Sequence, residues 1–259
     1  MASVEIQGLT KTFGTVTAVD NLSFEVRNGE IYGLLGPNGA GKTTTLKILM
    51  GLLDPDSGRV RVMGVDSLAK PVEVKSLVGY VPEETVLYES LTPRELFEFI
   101  ASVREISESV ANKRVSEIAK ALDFTEYMEK MIVTLSSGNK QKCLLMAALV
   151  HRPKLLILDE PFSGLDARVV RILKDAIQIH VDTGGSVLLS THIMEVAQSL
   201  CDRVGIIDEG NLVAEGTLEE LRTQAKQEGA TLEQIFLKLT EQVDEVTEGV
   251  DALREAFSG

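Results

Sequence analysis

Ile31-Tyr-Gly-Leu-Leu-Gly36-Pro-Asn-Gly39-Ala-Gly41-Lys42-Thr43-Thr44 runs a short apolar segment straight into a glycine-rich turn. Ile31 to Leu35 reads as a strand. Beyond the turn, Leu46, Leu49, Met50 and Leu53 stand at i, i+3, i+4 and i+7, which predicts a helix. The turn between them fits G-x-x-x-x-G-K-[ST], and it sits where that motif belongs, between a strand and a helix. Glycines allow positive φ, so successive backbone N–H groups can turn inward around a phosphate. A helix beginning near Lys42 adds the positive end of its dipole. Lys42 is then placed to reach the β- and γ-phosphates of a nucleotide, and the Thr43 hydroxyl to bind Mg²⁺. Gly36, Asn38, Gly39, Ala40, Gly41, Lys42, Thr43 and Thr44 are the candidate phosphate-binding residues.

Leu155-Leu-Ile-Leu-Asp159-Glu160 is the complement. Its apolar run predicts a buried strand that delivers two acids to the carboxyl edge of a sheet, where open α/β sheets bind ligands. Asp159 is expected to hold Mg²⁺ through water. Glu160 is expected to act as general base toward the attacking water. Alone, an acidic pair at a strand end reads as a solvated turn; the phosphate loop upstream raises the reading above that.

Working outward, Val4–Leu9 and Leu22–Val26 alternate as antiparallel strands do, and Asn28-Gly29 reads as a tight hairpin turn toward the next strand. Val60–Val62, Val78–Val81, Ser186–Ser190 and Val204–Ile207 predict further strands. Thr92-Pro-Arg-Glu95 is a helix start, with a hydroxyl cap, Pro at the first position and Glu at the third. The stretch from Thr92 to Tyr127 is helical and charged. The expected fold is α/β: a parallel-sheet core covered by helices, an N-terminal antiparallel β region, and an inserted helical subdomain at about residues 86–134.

Composition narrows the partners. The 259 residues carry 26 Lys and Arg against 39 Asp and Glu, a formal net charge of -13. That argues against nucleic acid, whose phosphates need a basic face, and against adhesion to anionic lipid. Cys143 and Cys201 have no metal-ligand or redox spacing and suggest a reducing compartment. No signal peptide and no spanning segment is visible; Cys143–Val150, the longest apolar stretch, is far too short.

Leu135-Ser136-Ser137-Gly138-Asn139 precedes an apolar helix from Cys143 to Val150, Ser163-Gly-Leu-Asp166 follows the acids, and His192 follows a strand. In that order, after a phosphate loop, these segments resemble the ATP-binding subunits of ABC transporters over about residues 3–217. The resemblance implies a P-loop NTPase (RecA-like) core that hydrolyses ATP with Mg²⁺. It implies a second nucleotide-binding subunit, whose γ-phosphate would meet Ser136 and Gly138. It also implies a separate transmembrane permease at the cytoplasmic face of the membrane. Asp166 would then lie in the loop coupling the two sites, His192 would contact the γ-phosphate, and Phe13 would stack on adenine; an ordinary core position is the other reading of Phe13. Leu87, Tyr88, Leu91 and Phe97 are candidate permease contacts.

The sequence departs from the family at three places. Glu83 stands where Gln is usual as a Mg²⁺ ligand, and Ser137 and Asn139 replace Gly and Gln of the signature. A carboxylate suits Mg²⁺, but it adds negative charge near the γ-phosphate. A non-transport ABC ATPase and a regulator with weak hydrolysis are the alternatives. The long coiled-coil insertion or second cassette of the first is absent, while intact Lys42, Asp159, Glu160 and His192 weigh against the second. An ATPase domain at 1–217 and a helical tail at 218–259 are expected. In the tail, Leu232, Ile235, Phe236 and Leu239 share one helical face, and a further helix could reach Phe257. The run Leu232–Thr240 resembles the tail of drug, antibiotic or ion exporters, so export is expected.

Overall fold

The computed structural model describes residues 2–240, together with Leu253, Ala256 and Phe257. The expected further helix toward Phe257 therefore falls largely outside the described residues. The chain opens with β1 (Ala2–Phe13), β2 (Val16–Arg27) and β3 (Ile31–Leu35), followed by α1 (Lys42–Leu49), β4 (Ser57–Val62) and β5 (Val65–Asp66). Next come α2 (Pro71–Leu77), β6 (Val78–Val81), α3 (Pro93–Val103) and α4 (Glu108–Ala121), then two short 3₁₀ turns. The second half holds α5 (Ser137–Leu149), β7 (Leu155–Asp159), α6 (Ala167–Asp182), β8 (Ser186–Thr191) and α7 (Met194–Leu200). It ends with β9 (Arg203–Asp208), β10 (Asn211–Gly216), α8 (Leu218–Ala225) and α9 (Leu232–Leu239).

Two sheets result. One is antiparallel, in the order β2-β1-β4-β5; the other runs β10-β9-β3-β8-β7-β6 and is parallel except for the β9–β10 pair. The expected α/β plan is present, with one correction at Asn28-Gly29. Those residues do turn the chain, Gly29 taking φ +74°, but β2 and β3 enter different sheets and form no hairpin. The reason is burial. Every residue of β3 is buried, as in a central parallel strand, while β2 alternates as a strand with one wet face. The true hairpin turn is Gly14-Thr15, which closes the Phe13–Val16 pair of β1 and β2.

Three cores hold these layers. Between the sheets, Val4, Ile6, Leu9, Tyr32, Leu46 and Ile48 meet Ile157 and Leu188, and Phe24 stacks on Tyr32 with centroids 5.2 Å apart. Burial of this kind contributes roughly 25 cal/mol per Å² of apolar surface. α1 is shorter than its apolar period suggests. It stops at Leu49, Gly51 follows at φ +58°, and Leu53 joins the same core from beyond the helix. The second core packs α3, α4 and α5 on the other face of the parallel sheet, through Phe97, Val115, Phe124 and Leu145 against Leu156 and Leu189. Both halves of the Thr92–Glu95 capping box form at the start of α3, as its sequence predicts. The third core joins α7, α8 and α9 to Leu35, Val204 and Ile206. Leu232, Ile235 and Phe236 are buried there, so the apolar face of α9 packs on its own chain.

His151, just after α5, ties that helix to the sheet. Its Nε2 lies 3.1 Å from the Val78 carbonyl, which can only accept, so Nε2 carries the proton and the buried Nδ1 is left without a partner. Burial, with Arg104 and Arg114 nearby, pulls the His151 pKa from the ordinary 6.5 to about 4. The unfolded chain takes up a proton near pH 6.5 that the folded chain refuses until about pH 4. Its contribution to stability is complete above pH 6.5 and is lost as pH falls through that window. His180, held down by burial, acts in the same sense. Urea unfolding at pH 7.5 and 5.5 should therefore show a smaller loss for His151→Gln than for the native chain, by about 1 kcal/mol after solvent screening.

Candidate active site

The phosphate loop bridges β3 and α1 with Gly39 at φ +88° and Gly41 at φ +100°. Neighbouring backbone closes over it. A Cβ on Gly36 would lie 2.3 Å from the Ile207 carbonyl oxygen, and one on Gly41 2.2 Å from that of Ala18. Lys42 is buried, and its ammonium donates to the Gly36 and Pro37 carbonyls at 2.8 and 3.1 Å. Asn38, Gly39, Gly41, Lys42, Thr43 and Thr44 line a cleft of about 240 Å³ together with Ala18, Glu83 and Glu160. Gly36 and Ala40 shape the loop from behind, Ala40 being buried.

The acids arrive from β7. Asp159 is fully buried and lies opposite Ser190 of β8 in parallel register. The Ser190 hydroxyl donates to Asp159 Oδ1, while Oδ2 has no partner. Burial raises the Asp159 pKa, against the lowering effect of the Ser190 hydroxyl. Glu160 follows at φ +46°, in the left-handed region that costs a residue of this kind about 1–3 kcal/mol. Its N–H donates to the Ser190 carbonyl at 3.1 Å. Its buried carboxylate accepts from the Thr191 hydroxyl at 3.0 Å, and it lies 2.8 Å from His192 Nδ1 and 3.8 Å from Lys42 Nζ. Lys42, Glu160 and His192 are thus brought together, with Asp159 and Thr43 beside them.

The unpaired, buried Oδ2 of Asp159, the Thr43 hydroxyl and the Glu83 carboxylate are hard oxygen donors, and they fit Mg²⁺. Among the described residues no group of three or more His, Cys, Asp or Glu forms a self-sufficient metal centre. A cation here would need phosphate oxygens to complete its shell.

Four sequence candidates lie apart from this cleft. Ser136 caps α5, its hydroxyl accepting from the Asn139 N–H at 3.4 Å, and Gly138 stands beside the Gly164 carbonyl. Asp166 caps α6, accepting from the Val169 N–H at 3.0 Å. Phe13 is 49% exposed, which excludes a core role, and Lys11 Nζ sits 5.5 Å from its ring centre. Sequence reasoning missed Ala18, Ser190 and Thr191. Two hydroxyls ending an apolar strand were the available signal for the last two. Only the β7–β8 register shows that they meet the acids.

A nucleotide-phosphate cleft at the carboxyl edge of a parallel sheet defines a P-loop nucleotide hydrolase. The ABC transporter family model matches residues 19–163. The linearmycin resistance ATP-binding protein of Bacillus subtilis is 37% identical over 218 residues, covering 84% of this chain and 70% of that protein. The ABC-type transporter ATP-binding protein EcsA of Bacillus subtilis is 35% identical over 242 residues, 93% of this chain and 98% of that one. A solved ATP-binding subunit of an ABC transporter superposes with a TM-score of 0.88 at 32% identity, covering 92% and 99% of the two chains. The chain belongs to the ABC transporter family, as an ATP-binding subunit that hydrolyses ATP.

The closeness of Gly41 to Ala18 can be tested directly. Gly41→Ala should weaken binding of a fluorescent ATP analogue at least tenfold and lower stability by about 1–3 kcal/mol. Gly39→Ala, whose new methyl meets nothing within 4 Å, should be milder on both counts. Equal effects would show that left-handed strain alone, not the close approach, limits the loop.

Proposed function

We propose that this subunit works in a head-to-tail pair that encloses two ATP molecules and drives export through a separate permease at the cytoplasmic face of the membrane. In this reading residues 1–217 form the ATPase domain and a tail begins at 218, helical in its described part through α8 and α9. The Glu160 carboxylate, buried between Thr191, His192 and Lys42, carries it. Thr191 and His192 hold that carboxylate in one orientation, and Glu160 takes a proton from the attacking water. Lys42 and the loop N–H groups stabilise charge on the transferring phosphoryl group, which is the main task in this chemistry. Mg²⁺ held by Thr43, Asp159 and Glu83 would neutralise the β- and γ-phosphate oxygens. His192, 49% exposed at its side chain, can also face the γ-phosphate.

Ser136 and Gly138 support the paired arrangement. They open α5 at an exposed helix N-terminus outside their own cleft, a position suited to the phosphate of a second subunit. The exposed Phe13 ring is available to stack on adenine. Among the described residues no helix is long and apolar enough to cross a membrane. The permease contacts need one correction. Phe97 is buried in the helical core, and Phe99 is the aromatic that faces out, its ring 6.1 Å from Tyr88. Leu87 and Leu91 are partly buried against that same core. The net charge of -13 disfavours nucleic acid as a partner. The resistance function printed for the Bacillus subtilis relative supports export.

Glu160→Gln should lower hydrolysis by roughly 10²–10⁴-fold while nucleotide binding survives. For the native chain, Mg²⁺-dependent hydrolysis should rise more steeply than linearly with protein concentration. A strictly linear dependence would remove the composite site, and native turnover in Glu160→Gln would remove the base.

A further inference from the structure

The charges in the cleft do not balance. Lys42 is the one cation among its described lining residues. Three carboxylates surround that ammonium or share its cleft: Glu160 with its oxygen 3.8 Å from Lys42 Nζ, Asp159 beside it at the end of β7, and Glu83 on the cleft wall. Two of the three are tied down. Glu160 is held by Thr191 and His192, and Asp159 is buried with one oxygen on Ser190 and the other unpaired. Glu83 differs. It stands exposed at the mouth of the cleft, on the segment after β6, and no described residue bonds its carboxylate. A triphosphate entering this space brings several more negative charges. One like charge a few ångströms away, partly screened by solvent, weakens such binding by roughly tenfold or more.

We propose that Glu83 makes nucleotide binding conditional on a divalent cation: its carboxylate repels the free triphosphate and becomes a ligand when the cation arrives with it. The inference rests on the reading of the Gly36–Thr44 cleft as the triphosphate site. The same oxygen atoms have opposite effects in the two cases. Against bare phosphates they add repulsion to that of Asp159 and Glu160. Beside a cation they supply a hard donor next to the unpaired Asp159 Oδ2 and Thr43. The subunit would thereby discriminate between nucleotide with and without its cation before any chemistry begins.

The test is to titrate a fluorescent ATP analogue into native chain, Glu83→Gln and Glu83→Asp, each in excess Mg²⁺ and in EDTA. The native chain should lose roughly 100-fold in affinity when the cation is removed. Glu83→Gln should bind the cation-free analogue about tenfold tighter than native and the Mg²⁺ complex no tighter, so the ratio collapses by tenfold or more. Glu83→Asp, which keeps the charge, should keep a ratio near the native one. The proposal is overturned if Glu83→Gln shifts both affinities equally or shifts neither. Lys42→Ala separates the two layers of argument. It should abolish binding in both buffers, and if it binds as native does, the cleft reading fails and this proposal falls with it.

Discussion

Asp159 lies against Ser190 in the parallel pairing of β7 with β8, and the acidic half of the site depends on that register. With the strands so aligned, Ser190 reaches Asp159 while Thr191 and His192, the next two residues, reach Glu160. A slip of one residue would turn every side chain of a strand to the other face. It would turn Ser190 and Thr191 to the wrong faces and part them from Asp159 and Glu160. Leu155 to Leu158 and Ser186 to Leu189 are enclosed on both faces, and the hydroxyl contacts of Ser190 with Asp159 and of Thr191 with Glu160 favour this pairing over a shifted one. The buried strands and these contacts together place five polar side chains: Asp159, Glu160, Ser190, Thr191 and His192.

The same core sustains a strained residue. Glu160 holds φ at +46°, and its N–H is fixed on the Ser190 carbonyl. Without that strain the chain leaving β7 would continue extended and carry the carboxylate away from Lys42. Two acids adjacent in sequence therefore occupy different surroundings: Asp159 sealed with one unpaired oxygen, Glu160 satisfied on both sides yet bordering the cleft. Environments that differ in this way are what allow neighbouring carboxylates to take separate tasks.

The sequence announced much of this and withheld a specific part. The Gly36–Thr43 loop, the Asp159-Glu160 strand end, the Thr92 capping box and the buried face of α9 were legible because each is local. Spacing, capping chemistry or helical period reports it within a few residues. Asn28-Gly29 misled for a physical reason. A turn dipeptide reports that the chain reverses, and it does not report which sheet the next strand joins; the full burial of Ile31–Leu35 decided that. Ser190, Thr191 and Ala18 were illegible because their roles arise from pairing between segments far apart in the chain. Phe97 and Phe99 show the limit at finer grain. Two aromatics on one helix, two positions apart, face opposite ways, and only the packing of α3 on α5 says which is buried.

The polar contacts also couple regions that the fold keeps in separate layers. Thr85, just past Glu83, donates to the Gln141 side chain at 3.3 Å, and Gln141 lies 3.5 Å from the Pro161 carbonyl, next to Glu160. Gln141 is buried on α5, the helix that Ser136 caps. One amide thus touches the segment bearing Glu83, the helix that Ser136 opens, and the turn that follows Glu160. A buried amide is costly to leave unpaired, so these three segments favour moving together over moving singly. Displacing the Glu83 segment away from α5 breaks the bond of Thr85 to Gln141. The helical layer and the cleft therefore share a link built from two ordinary hydrogen bonds, and that link sits two residues from Glu83 at the mouth of the cleft.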